Sequence, residues 1–487
     1  MDKKTLRPVI KYLTDAQIEE IHEGSLELLE NTGIKVELEA GLKVLDEAGA
    51  KVDHQAGRAW IPRELVAHCL ETMPREFAYA ARNPEKDCFM KPGGRLYSRT
   101  AGSPDFIIDI DTDEWRPVLD ADVKELYTLM DALDGISIPT SAFAQDWPKF
   151  GRDILMLREM FNHTDKHLHL RTDTVKTFPH MLEMAAIVAG GKEQLKERPV
   201  VSLLEGHVSP LRYIDVMVNA LLLCGEYGIP LEICCMPMAG STGPVTMVGN
   251  LQLLNTEFLA GVVISQSAHP GAPLVYAPRP MLMDLKTGFS LAGSIDAEMA
   301  AVAGVQMAHF YNVPVSVHGQ WSDSVLDDGQ STLEHAYTAL MGAFSGANIL
   351  VGAGSLQETL SISHAQLVID DEINKICFRA LEGFTVDKER LAVDAIARVG
   401  PGSNFLADEH TARFCRGERY TPALFYRGSI EGWEEGGRKM FRDRAKEKAK
   451  AILEEHKPNP LPEDTAKALD EYVSDAFKSL GIDWKLS

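Results

Sequence analysis

The chain has 487 residues, 25% of them charged and 45% hydrophobic, the mixture of a folded globular protein rather than a disordered, fibrous or disulfide-stapled one. Its 71 acidic and 49 basic residues give a net charge of −22, which argues against nucleic acid or an anionic membrane surface as the main partner and favours a cationic substrate or a basic protein. Seven cysteines, an odd number without regular spacing, predict a reducing compartment, by default the cytoplasm. Residues 1–14 hold no apolar core of signal-peptide length and no uncharged apolar run reaches about 18 residues, so neither secretion nor a membrane span is expected.

In chain order, residues 1–95 predict a small α+β segment. It opens with a helix capped by Thr14 and Gln17, carries Ile18, Ile21 and Leu28 at helical spacing, and stops at Gly33. From 96 to 400, short apolar runs alternate with helical stretches as repeated βα units require. The predicted strands are 105–109, 136–143, 166–170, 200–205, 231–236, 274–277, 315–318 and 349–352. Helices are predicted at 211–227, 295–311 and 331–344, the last with Ser331 and Glu334 as a capping box. Eight strands is the number that closes a TIM (β/α)8 barrel. A doubly wound sheet gives the same alternation, but neither a G-x-G-x-x-G after an early strand nor a G-x-x-x-x-G-K-[ST] occurs. Residues 401–487 predict a helical C-terminal tail: a loop-rich stretch, a charged helix over 438–455, a proline-rich break at 457–462, and a last helix to about Leu480.

Alternate strand residues face opposite sides, and a barrel of this type carries its site at the carboxyl ends of the strands. Parity points Ser316 and His318 inward from 315–318, and Glu232 and Cys234 inward from 231–236. Glu205 and His207 share one parity with Val201 and Leu203; His167 and His169 share another on the preceding unit. Tyr276, Phe143 and Trp321 fall at or just past their strands' ends. Cys234-Cys235 reads as two small buried hydrophobes, and with neither His-x-Cys nor Cys-x-x-Cys present, no intrinsic metal is expected. No nucleophile elbow of the G-x-S-x-G kind occurs. Tyr97, Phe143, Trp147, Tyr276, Trp321, Phe425 and Tyr426 are candidates for either core packing or the walls of a cage around a quaternary ammonium ion.

Several stretches resemble the trimethylamine:corrinoid methyltransferase family: Leu13-Thr-Asp, Asn31-Thr-Gly-Ile-Lys-Val36, Trp60-Ile-Pro62, Cys235-Met-Pro-Met-Ala-Gly-Ser-Thr-Gly-Pro-Val-Thr246, Trp321-Ser-Asp-Ser-Val-Leu-Asp-Asp-Gly-Gln330 and Gly352-Ala-Gly354. The resemblance covers nearly the whole chain. It implies a barrel that presents an N-methyl group to cob(I)alamin carried by a separate cognate corrinoid protein, with no cofactor bound permanently to this chain, and it implies a homo-oligomer. Members acting on trimethylamine carry pyrrolysine in the loop that here resembles 321–328, where this chain has standard residues only. That implies the branch that demethylates quaternary amines such as glycine betaine, proline betaine, carnitine or γ-butyrobetaine.

A substrate of that kind needs aromatic faces for its ammonium and donors for its carboxylate. The candidate substrate-binding residues are Tyr97, Phe143, His169, Glu205, His207, Glu232, Tyr276, Arg279, His318, Trp321 and Gln330. Arg279 with His207 or His318 is expected at the carboxylate, Glu205 or Glu232 at the ammonium, and Trp321 foremost among the cage residues. Two alternatives stay open: a lyase or decarboxylase using a Glu205/His207 pair, and a non-catalytic binding protein.

Overall fold

The structure, a computed structural model, describes residues 8–484; the outermost ends, including the first seven residues of the opening read for a signal peptide, lie outside them. The fold is mixed α/β. The first helix, Asp15–Glu27, begins as its sequence requires: Thr14 Oγ1 accepts from the Gln17 amide at 3.4 Å while the Gln17 side chain accepts from the Thr14 amide at 2.9 Å. Gly33 ends this region at φ 70°, where a Cβ would collide with the Ala59 carbonyl. Three short strands, Ile34–Val36, Lys51–Asp53 and Arg58–Trp60, form a sheet that Arg212–Tyr213 joins in parallel.

The central strands are all parallel. Leu168–Leu170, Val201–Gly206, Leu231–Cys235 and Leu274–Pro278 form one sheet; Ser316–His318, Ile349–Ala353 and Tyr97–Thr100 form another. Single parallel bridges join their edges: Tyr276 to Val315 on one side, and on the other Arg99 to Ile138 and Thr140 to His169. Followed in order, the pairs return to their starting strand.

The expected strand at 105–109 is a correction. Phe106–Ile108 pairs antiparallel with Trp115–Pro117 and parallel with Ser361–Ser363, in a separate sheet. The first central strand is instead Tyr97–Thr100, whose Tyr-Ser-Arg-Thr sequence is wholly buried although mostly polar. Of the expected 136–143 strand, only residues 138 and 140 make bridges.

Helices cover the strands. Met247–Ala268, the one helix among the described residues long and apolar enough to cross a membrane, is largely buried. At its middle Glu257 accepts hydrogen bonds from Ser209 Oγ (3.0 Å) and the Leu211 amide (2.8 Å). The helix expected at 331–344 runs from Gly329 to Ser345, and its cap is Asp328, not Ser331, with Asp328 accepting from the Gln330 and Ser331 amides. At the amino ends of the strands, the hairpin Phe77–Tyr79/Cys88–Met90 closes an apolar plug with Tyr97, Ile138, Val275 and Ile349. The tail helices Phe441–Glu455 and Glu463–Leu480 pack on the body, the first against His364–Glu382 and Asp120–Ala132, the second against Phe178–Ala189 and Arg152–His163.

Candidate active site

A buried polar centre lies inside the circuit of strands. Glu232 on Leu231–Cys235 is its hub, lying 3.0 Å from Arg99 Nη1 in an ion pair and accepting from Ser316 Oγ (2.7 Å) and the Tyr79 hydroxyl (3.4 Å). Arg279, just past Leu274–Pro278, donates from Nη2 to Ser316 Oγ at 2.8 Å and stands 3.9 Å from Glu232 Oε2. Glu232, Arg99 and Arg279 are all buried.

A directed chain of hydrogen bonds leaves Arg99. A guanidinium only donates, so His169 Nε2, paired with Arg99 Nη1, accepts, and His169 Nδ1 carries the proton that it gives to Ser202 Oγ (2.7 Å). Ser202 then donates to His167 Nε2 (2.8 Å), and His167 Nδ1 donates to the Ala80 carbonyl (2.8 Å). Both imidazoles are neutral in this chain. Burial pushes His167 down to about 3, and burial with the nearby Arg99 holds His169 well below its usual range.

Toward the carboxyl ends, His318 stacks on Trp321 with ring centroids 3.6 Å apart and planes at 24°. Burial, with Arg279 and Arg99 nearby, holds His318 well below its usual range, so it too is neutral. Gly352, at φ 122°, is the residue that admits this arrangement, because a Cβ there would collide with the Gln320 carbonyl and the Trp321 ring. Met281, Ala292 and Met238 cover the tryptophan. Its loop is tied down on both sides: Asp323 accepts from the Ala292 amide (2.7 Å), Ser322 Oγ donates to Glu334 (2.6 Å), and Asp327 pairs with Arg442 of the tail.

Three buried nitrogens here have no hydrogen-bond partner: Arg99 Nε, His318 Nε2 and Trp321 Nε1. Leaving such a group unmet costs about 1–3 kcal/mol. The charges are likewise unbalanced. Two guanidiniums face one carboxylate, Glu232, and Arg279, though lowered to about 10 by burial, keeps its charge at neutral pH. Glu298 nearby is driven toward its neutral acid by burial and does not offset them. The centre therefore presents positive charge and free nitrogens, a setting for an anionic group.

Of the eleven candidate residues, the structure gathers His169, Glu232, Arg279, His318 and Trp321. The other six lie elsewhere. Tyr97 sits in the apolar plug at the amino ends and accepts from the Phe89 amide (2.9 Å). Tyr276 faces the helix layer, stacked on Phe258 at 3.9 Å, with its hydroxyl donating to Asn255 (3.2 Å). The ring of Phe143 is covered by the Arg152 guanidinium, 4.4 Å from its centroid.

His207 stands 2.8 Å from Glu257 without aligning for a hydrogen bond, and stacks on Tyr213. Glu205 accepts from the Gly206 amide (3.0 Å) and is pushed up to about 7 by burial. On this strand it is Ser202 that joins the centre, and its parity is opposite to that of Glu205 and His207. Gln330 is exposed and donates to Glu334 at 3.0 Å. Sequence reasoning missed Arg99, Ser202 and Tyr79; for Arg99 the only signal was an arginine within a short β-prone run. Among the described residues, no group of three or more His, Cys, Asp or Glu is arranged to hold a metal ion.

An α/β chain with a buried, donor-rich centre inside a circuit of parallel strands has the form of a protein that binds a small charged group. Comparison with known proteins makes the assignment specific. The model of the family trimethylamine methyltransferase (MTTB) matches residues 3–481, and the chain belongs to that family. Trimethylamine methyltransferase MttB of Desulfitobacterium hafniense (strain DSM 10664 / DCB-2) is 33% identical over 96% of this chain and 94% of its own. Glycine betaine methyltransferase of D. hafniense (strain Y51) is 32% identical over 98% of this chain and 99% of its own. Among solved structures, the monomethylamine methyltransferase MtmB of Methanosarcina barkeri covers 96% of this chain and 93% of its own, at 10% identity and a TM-score of 0.46.

Proposed function

We propose that the protein moves an N-methyl group from a zwitterionic quaternary amine, glycine betaine or a close analogue, to Co(I) of a separate corrinoid protein. We read the closed circuit of parallel segments as a (β/α)8 barrel with its site at the carboxyl ends. The observation that carries the reading is the excess of buried positive charge and unmet nitrogens around Glu232. A carboxylate would satisfy Arg99 Nε, His318 Nε2 and Trp321 Nε1 and offset the second guanidinium. A lone trialkylammonium would meet repulsion there. The identities to a trimethylamine methyltransferase (33%) and a glycine betaine methyltransferase (32%) are alike, so the choice of a zwitterion rests on the charge of the centre.

The corrinoid supplies a cobalt nucleophile for the methyl carbon. A quaternary nitrogen already bears the charge that makes it a leaving group and departs as a neutral amine, so the chain has no proton to deliver. Its part is positioning and the exclusion of water. A carboxylate held deep, at Arg279 and His318, directs the ammonium outward to the region covered by Met238, Met281 and Trp321. In the loops that follow these strands Met236, Val245, Leu285, Phe289 and Val325 expose apolar side chains, a surface suited to a docking protein. Seven free cysteines, six of them buried, suit a reducing cytoplasm.

The test mixes the protein with a corrinoid protein reduced to Co(I) and follows corrinoid absorbance on adding glycine betaine, proline betaine, carnitine, γ-butyrobetaine, choline or trimethylamine. Methylation by one carboxylate-bearing amine, with choline and trimethylamine inert, is expected. Equal transfer from choline would sink the carboxylate anchor, and silence with every amine would sink the reaction.

A further inference from the structure

We propose that Arg442, in the tail, positions Trp321 for the substrate by holding the loop 321–328 through Asp327, an inference that rests on the reaction proposed above. Arg442 opens the helix Phe441–Glu455. Its Nε is paired with Asp327, while its two terminal nitrogens fork onto Asp113 at 3.1 and 2.6 Å. Asp327 directly precedes Asp328, the cap of Gly329–Ser345, and Trp321 stands at the other end of the same loop, stacked on His318.

Asp327 depends on this contact. Its side chain is fully buried, and among the described residues the one other donor to it is Ser363 Oγ (2.6 Å), the cap of His364–Glu382. A buried carboxylate that loses its cation is left uncompensated and is driven toward water. The tail helix has no such dependence. Lys446 also pairs with Asp113, Lys450 lies 2.5 Å from Asp111, and His456 lies 2.8 Å from Asp131. Losing Arg442 therefore releases Asp327 and leaves the helix in place.

The loop is built to carry a shift at Asp327 back to Trp321. Ser324 Oγ donates to Asp328 (3.0 Å), and the Ser322 and Ser324 carbonyls accept from the Glu358 and Gln357 amides, both at 2.8 Å. Gln357 and Glu358 sit at φ 48° and 62°, left-handed conformations that residues with a side chain keep only where their surroundings hold them. Ser322 Oγ and the Asp323 amide both donate to Glu334 Oε2, at 2.6 and 2.9 Å. These anchors come from the helix and hairpin that follow the loop. Arg442 reaches it from 115 positions beyond Asp327.

Amide hydrogen exchange of the full chain, followed in 321–328 and in 445–455, tests this on Arg442→Met, Asp327→Asn, the two combined, and Lys446→Met. Arg442→Met is expected to speed exchange in 321–328 about tenfold and to leave 445–455 as in the wild type. Lys446→Met, which removes a tail contact without touching Asp327, is expected to leave 321–328 unchanged. The dissociation constant for glycine betaine, by calorimetry, should rise about tenfold in Arg442→Met, and no further in the double variant than in Asp327→Asn alone. Unchanged exchange in 321–328 with Arg442→Met, opening of 445–455 along with it, equal opening with Lys446→Met, or an added loss of affinity in the double variant would overturn the inference. A wild type that binds no amine would refute the proposed reaction, a failure distinct from these because the exchange comparison needs no ligand.

Discussion

The two ends of the strand circuit both bury charge, and they treat it in opposite ways. At the amino ends Lys166 is fully enclosed, and its Nζ donates to three carbonyls, Met130 (2.7 Å), Leu133 (2.8 Å) and Ile136 (2.6 Å). Beside it Asp131 accepts from Thr164 (2.8 Å) and lies 2.8 Å from His456, while Asp165 accepts from Asn459 (2.7 Å) and pairs with Lys86. At the carboxyl ends the guanidiniums outnumber carboxylates, and Arg99 Nε, His318 Nε2 and Trp321 Nε1 go unmet. A buried charge whose bonds are complete is there for the fold. One whose neighbourhood is left incomplete is arranged for something that arrives later.

Substitutions at each end sharpen that contrast. The largest effect is expected from Lys166→Met, which strands three carbonyls: a stability loss of about 3 kcal/mol or more, read by urea unfolding, while the folded fraction keeps its affinity for the amine. A matching loss of affinity would erase the distinction between the ends. Arg279→Met should cost affinity and stability together, because Arg279 also donates to the carbonyls of Pro278 (3.2 Å) and Ser316 and to Ser316 Oγ (2.8 Å). Removing one partner of a buried charged contact costs about 2–5 kcal/mol of binding, so glycine betaine affinity by calorimetry should fall about a hundredfold, with a lowered melting temperature beside it.

Trp321→Phe keeps the stack on His318 and removes one donor. A weakening of about tenfold is expected, in line with about 1.5 kcal/mol for a hydrogen bond to a charged group, and no change would remove the indole from the carboxylate site. The smallest effect concerns Glu205, which belongs to neither set. Burial raises its folded value to about 7, above that of the unfolded chain. The native state therefore holds the proton more tightly, and this group's contribution is fully present in acid and lost as pH rises through about 7. Glu205→Gln should raise the melting temperature relative to wild type at pH 8 and leave it alike at pH 4; an equal rise at both would reject this origin.

Much of the strand framework was legible because its strands are β-branched or apolar runs of the right length: 231–236, 274–277 and 349–352 each fall within one residue of the observed strands. Tyr97–Thr100 was not, because its burial comes from the neighbours it pairs with and not from its own composition. Apolar Phe106–Ile108 took its place by looking more like a core strand than it is. Within the site, parity gathered Glu232, Ser316 and His318 correctly into one space, since alternation is a property of the strand itself. Parity could not tell which face of 201–206 turned inward, where both sets held polar groups, and so Glu205 stood in for Ser202. Nor does spacing reveal that the face of Tyr276 is already occupied by Phe258.

The tail gives the molecule a late closing step. Arg442 binds Asp113, His456 reaches Asp131 at 2.8 Å, and Asp470 accepts from Arg158 at 2.6 Å, pairs separated by 329, 325 and 312 positions. Each joins residues made late to residues made more than 300 positions before. The central strands can assemble on the ribosome, but the girdle that clamps their helices forms only once Phe441–Glu455 and Glu463–Leu480 have been made, and contacts of such range form slowly. Until then the faces of Asp120–Ala132 and Phe178–Ala189 that the tail will cover stand open. A nascent chain of this protein is thus exposed to aggregation longest at its flanks, and a chain cut within 384–440 after folding is expected to stay together, its two pieces held by the same girdle.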